Sequence, residues 1–66
     1  MKTTKLNAGI YKAEYNNQVF KISKSQFSNE WEIYRITING YGAENDEWET
    51  TQDSKKDCIE YIKDRF

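Results

Sequence analysis

Trp31-Glu32-Ile33-Tyr34-Arg35-Ile36-Thr37-Ile38-Asn39-Gly40 is an eight-residue run dominated by aromatic and β-branched side chains, closed by Asn-Gly. Such side chains suit a pleated, half-buried surface, and Asn-Gly readily takes the positive φ angles of a tight turn. Apolar groups fall on both alternating faces of the run, which predicts a central strand rather than an edge. The architecture is therefore sheet-based.

Outward from this strand the punctuation is regular. Upstream, Ile10–Tyr15 alternates, with Tyr11, Ala13 and Tyr15 on one face and Lys12 and Glu14 on the other. Asn16-Asn17 reads as a turn, because Asn tolerates left-handed backbone angles. Val19–Ser23 reads as a second strand that places Phe20 and Ile22 together. Residues 24–30 are polar apart from Phe27 and read as a loop, and residues 1–8 as frayed or a short edge segment. Downstream, residues 41–46 hold poor strand formers and read as a loop or an irregular hairpin arm. Residues 47–51, centred on Trp48, read as a short fourth strand at the sheet edge.

The C-terminal segment changes period. Asp53 or Ser54 can cap a helix, and Ser54 and Asp57 have the spacing of a capping box with Asp in place of Glu. Cys58, Ile59, Ile62 and Phe66 recur every three or four residues, which makes one apolar stripe. The expected fold is α+β: one domain over residues 1–66, an antiparallel sheet of three or four strands, and one helix packed across one face. Tyr34, Ile36 and Ile38 are the more apolar set of the central strand. They are expected to pack with Ile59 and Ile62, beside Phe20 and Ile22. The other set, Trp31, Ile33, Arg35 and Thr37, then has no element to cover it and is the candidate interaction face.

Size sharpens that expectation. A chain of 66 residues buries only about 60% of the surface its unfolded form exposes. Cys58 has no second cysteine to pair with, and the absence of histidine removes a conventional zinc site. Two Trp, five Tyr and three Phe supply bulk to a thin core. Thin cores without staples often gain stability by oligomerising, so a homodimer is an expectation from size alone.

The same inventory limits the chemistry. No His is present to act as a base near neutral pH, Cys58 lies in the apolar stripe without a partner to activate it, and Gly9, Gly40 and Gly42 form no phosphate loop. The acidic run Glu44–Glu49 lacks the alternating ligands, central glycine and closing Glu of an EF-hand, and reads as a solvated loop or a surface for a basic partner. No enzyme, cofactor or metal site is expected. No segment approaches the ~20 apolar residues of a membrane span, and the N-terminus lacks the apolar run of a secretory signal. The single cysteine points to the cytoplasm. Absence of proline, with abundant Lys, Asn, Ile, Tyr and Phe, matches AT-rich codons and hence an AT-rich bacterial or phage genome.

Charge is split along the chain. Through Lys24 there are five lysines against Glu14; from Glu30 to Asp53 there are seven acids against Arg35. A net charge of −1 argues against a strong non-specific nucleic-acid binder. The layout of Trp31, Arg35, Ile36, Asn39 and Gly40, followed by a strand and a helix, is similar to the small sheet-plus-helix DNA-binding domains of the AP2 and integrase N-terminal type. That resemblance covers about half the chain and implies a nucleic-acid-reading sheet. The acidic arm after the turn and the missing Leu-Gly-x-Phe depart from it. The expected function is a non-enzymatic protein-interaction module, self-associating or binding another protein. The alternative is a nucleic-acid-binding sheet in which Lys12, Lys21 and Arg35 meet phosphates.

Overall fold

A computed structural model describes all 66 residues. Five strands and one helix follow one another: β1 (Lys2–Asn7), β2 (Ile10–Tyr15), β3 (Gln18–Lys24), β4 (Trp31–Ile38), β5 (Glu44–Gln52) and α1 (Lys55–Arg65). Every strand pairs antiparallel with its sequence neighbour, so the sheet order is β1-β2-β3-β4-β5. The fold is α+β, with the central strand and C-terminal helix where the sequence placed them. Five strands replace the expected three or four. Residues 1–8 contribute a full edge strand through ladder bonds to β2, although all of β1 is exposed. Residues 44–46, expected in a loop, already pair with Thr37, Ile38 and Ile36.

Turn chemistry explains the hairpins. Asn16 and Asn17 have φ of 50° and 64°, which matches the two positive φ values of a type I′ turn. This closes β2 on β3 in the register Ala13↔Phe20 and Tyr11↔Ile22. Between β4 and β5 the positive φ is not at Asn39 or Gly40 but at Gly42, at 81°. Asn39 works through its side chain instead: its Oδ1 accepts from the amides of Tyr41 at 2.8 Å and Ala43 at 3.1 Å. That Asx arrangement organises a longer loop than Asn-Gly alone suggests.

The helix begins where its cap predicts. Ser54 is extended and its hydroxyl accepts from the Asp57 amide at 3.1 Å. Asp57 in the first turn, and Lys63 and Arg65 in the last, suit the helix dipole. Its first turn lies by Tyr11, whose ring carries Lys55 Nζ 3.9 Å from the centroid. At its other end the Phe66 ring is 4.9 Å from that of Phe20, and the Phe66 carbonyl accepts from Asn16 Nδ2 at 2.7 Å. The helix thus crosses the sheet from the Trp31 end of β4, beside the end of β5, toward the Asn16-Asn17 turn.

The buried cluster consists of Ala13, Phe20, Ile22, Ile33, Cys58 and Ile62, with Tyr11, Tyr15, Trp31, Ile59, Tyr61 and Phe66 packed around it. This reverses the expected face assignment. The helix covers Trp31 and Ile33, not Tyr34, Ile36 and Ile38. Ile38 is 70% exposed, and Tyr34 and Ile36 are only half-buried. Cross-strand partners share a face. Because Ile22 pairs with Ile33 and Phe20 with Arg35, the odd-numbered set of β4 joins the side that β2 and β3 had already made apolar.

Candidate interaction face

The four residues expected to be uncovered lie on the helix side. Ile33 has no exposed surface, and Trp31 is half-buried with its ring 6.1 Å from that of Tyr11. Arg35 and Thr37 lie on the same side beyond the buried cluster, each half-buried. Arg35 Nη2 donates to Glu47 Oε2 at 2.7 Å, and its Nε lies 3.8 Å from Glu49 Oε1. The hydrogen bond to Glu47 is the main reason its guanidinium is held protonated even more firmly than usual. So Ile33 is core with Trp31 packed against it, and Arg35 is flanked by two carboxylates while its buried Nε has no hydrogen-bond partner.

The sheet's other face has no layer over it. Register places its side chains in rows. Thr4, Lys12, Lys21, Tyr34 and Trp48 form one row; Lys2, Glu14, Val19, Ile36 and Asp46 form the next; Ile38 and Glu44 follow. Trp48 reaches this face because of a bulge. Ile33 pairs with Thr50 but Tyr34 with Trp48, leaving Glu49 over, and that extra residue flips the side-chain alternation. Without it Trp48 would lie opposite Arg35, on the helix side.

Polar groups here are mutually engaged. Lys21 Nζ is 2.7 Å from Asp46 Oδ2, across the intervening β4, and 5.1 Å from the centroid of the Tyr34 ring. Tyr34 donates its hydroxyl to Glu32 Oε2 at 2.6 Å. That bond, followed by burial and the charges of Glu32 and Asp46, raises the phenol above its ordinary value. Lys12 pairs with Glu14 at 3.7 Å. Between these pairs lies a shallow hollow of about 380 Å³ lined by Leu6, Val19, Ile36 and Ile38, together with Lys12, Lys21 and Glu44. Leu6 is 57% and Trp48 60% exposed, so the apolar surface is open rather than tucked away. A second, wider hollow of about 590 Å³ borders Gly9, Ser23, Lys24, Phe27 and Glu32.

Chemistry elsewhere is sparse. Cys58 is buried, its Sγ 4.0 Å from the Trp31 carbonyl oxygen, and burial with the nearby Asp57 pushes its thiol up to about 11. That is a packing thiol rather than an activated nucleophile. No group of three or more His, Cys, Asp or Glu side chains is arranged to hold a metal ion. The acidic run is strand rather than loop, and it divides: Glu44 and Asp46 share the open face with Ile38 and Ile36, whereas Glu47 turns to Arg35. No helix is long and apolar enough to cross a membrane.

Sequence reasoning missed Leu6, Val19, Ile36, Ile38 and Trp48 as one surface. The available signal was the two-residue turn at Asn16-Asn17, which fixes Val19 on the face opposite Phe20. The parity of β4 depends on the loop at residues 25–30, and that of Trp48 on a bulge; neither has a sequence signature here. No protein-family model, curated protein or solved structure matches this chain.

Proposed function

We propose that this chain is a non-enzymatic protein-interaction module whose contact surface is the open sheet face around Ile36. The observation that carries this reading is a five-stranded sheet with one helix, on one side only, while Leu6, Val19, Ile36 and Ile38 line a hollow on the other and Trp48 lies on that same face beside Tyr34. Contiguous exposed apolar surface on a small domain commonly marks a contact site, and tryptophan is enriched among binding hot spots. The buried, unactivated Cys58 and the lack of a convergent polar site support a binding role over catalysis. A reducing, cytoplasmic setting suits a lone thiol.

Nucleic-acid binding has less support. Lys12 and Lys21 are adjacent on the open face, but each is paired with a carboxylate, and Arg35 lies on the other side between Glu47 and Glu49. A phosphate backbone would have to displace those acids and approach Glu44 and Asp46.

The test is site-specific photo-crosslinking in cells of the native host, with the crosslinker at position 36 or, on the exposed side of the helix, at position 60. Protein adducts from 36 but not 60 are expected. Equal labelling from both positions, no protein adduct, or adducts with nucleic acid alone would overturn the reading.

A further inference from the structure

Six asparagines are spread along the chain, and Asn39 alone is followed by glycine. The loop between β4 and β5 grips it on both backbone and side chain. Its amide donates to the Ala43 carbonyl at 2.9 Å, and its carbonyl accepts from the Gly42 amide at 3.0 Å. Its side-chain Oδ1 accepts from the Tyr41 and Ala43 amides at 2.8 and 3.1 Å. The Gly40 amide donates to no protein group, and both residues are exposed.

We propose that Asn39-Gly40 is a site of spontaneous modification by water, at which the folded loop promotes loss of the Asn39 side-chain amide. The Gly40 nitrogen gives its proton to solvent base, and its electron pair attacks Asn39 Cγ, closing an imide ring. Negative charge collects on Oδ1, the atom that two amides already face at the distances of an oxyanion hole. As the carbonyl reforms, the Cγ–Nδ2 bond breaks and Nδ2 leaves as ammonia with a proton from solvent. Water then opens the imide. Cleavage between Gly40 N and Cγ leaves aspartate; cleavage at the main-chain carbonyl leaves isoaspartate, whose backbone is one carbon longer. One water is consumed and one ammonia released, with no oxidant or reductant.

The fold singles out this asparagine. A Cβ at Gly40 would meet nothing within 4 Å, so the approach to its nitrogen is open. The other five asparagines precede Ala8, Asn17, Gln18, Glu30 and Asp46, each with a side chain beside the attacking nitrogen. The Ala8 amide is moreover tied to Asn7 Oδ1 at 2.8 Å, and the Glu30 amide to Ser28 Oγ at 3.2 Å. At Asn39 the aspartate product keeps both amide bonds, now charge-assisted, and adds one negative charge to a chain of net −1.

Ageing the protein at neutral and mildly alkaline pH tests it, with peptide mapping by mass spectrometry and an isoaspartate assay. Folded wild type is compared with the same chain unfolded in guanidinium chloride, and with Gly40→Ala. Gly40 has no left-handed φ and its Cβ site is open, so the variant keeps the loop; circular dichroism checks its fold. In the folded protein Asn39 is expected to convert at least about tenfold faster than any other asparagine, and at least severalfold faster than in the unfolded chain, which lacks the two donors. The product is expected to match Asn39→Asp in charge, accompanied by isoaspartate. Gly40→Ala is expected to slow the conversion at least about tenfold, because a Cβ restricts the rotation that brings the nitrogen to Cγ. Faster loss at another asparagine, an unchanged rate in folded Gly40→Ala, or a rate at Asn39 no higher in the folded than in the unfolded chain would overturn the proposal. The last comparison uses wild type alone and holds even if the variant does not fold.

Discussion

Ile33 and Ile36 are three positions apart on β4 and identical in chemistry, yet one is sealed under the helix and the other half-open. Truncating Ile33→Ala should cost about 2–5 kcal/mol through lost burial and the cavity left behind, while Ile36→Ala should cost roughly 1 kcal/mol or less for its partial burial. A domain of this size has roughly 3–10 kcal/mol of stability in all, so Ile33→Ala should be mostly unfolded in moderate urea and Ile36→Ala should not. The reverse order of midpoints would mean the helix sits on the other face. Cys58 makes a second sharp case. Its thiol ionises near 9 when exposed and near 11 in the fold. The folded state thus favours the neutral thiol: the contribution is full below pH 9 and lost as pH rises through 11, worth up to roughly 2–3 kcal/mol. Denaturant titration should show a steeper alkaline decline for the wild type than for Cys58→Ala. A thiol reagent at pH 8 should label the wild type at the rate of unfolding, not at that of a free thiol.

The helix is short. At 11 residues it falls below the ~12–15 at which isolated helices begin to persist in water. A peptide of residues 53–66 should therefore be mostly coil by circular dichroism. In the protein its start depends on Ser54, and Ser54→Ala should cost about 1 kcal/mol, lowering the melting midpoint by roughly 4–8 °C for a domain this small. An unchanged midpoint would mean the hydroxyl's bond to the Asp57 amide carries nothing. The β2–β3 hairpin depends on Asn16 and Asn17 in the same way, with positive φ at both positions. Asn17→Gly should be neutral or mildly stabilising, whereas a β-branched residue there should strain the turn.

With only six fully buried side chains, the molecule is thinly cored. Its radius of gyration is 11.6 Å, against about 10.8 Å for a compact chain of this length. Its accessible surface is 4719 Å², against roughly 4400 Å² for its mass. Both excesses have one cause: a single helix covers one side of a five-stranded sheet. The cysteine is alone and no metal-binding cluster is present, so stability has to come from that one layer contact and the ladder. The melting midpoint should be unchanged by a strong chelator; a fall would reveal a metal contribution.

Alternation, turn residues and a capped stripe were enough to place β2, β3, β4, the Asn16-Asn17 turn and α1, because each depends on neighbours within a few residues. The edge strand β1 and the start of β5 were less legible. Their polar sequences become strands only because β2 and β4 offer them unpaired ladder groups. The candidate site was the part least accessible to local reasoning. In β4 both alternating sets are apolar, Trp31 and Ile33 on one side and Tyr34, Ile36 and Ile38 on the other, so period alone cannot say which set is covered. Local sequence thus set the strands, their order of charge and the helix. The buried face of β4 was chosen by its register against Phe20 and Ile22, and the face of Trp48 by one bulge at Glu49; both are long-range pairings, and a single short helix can cover only the side they select.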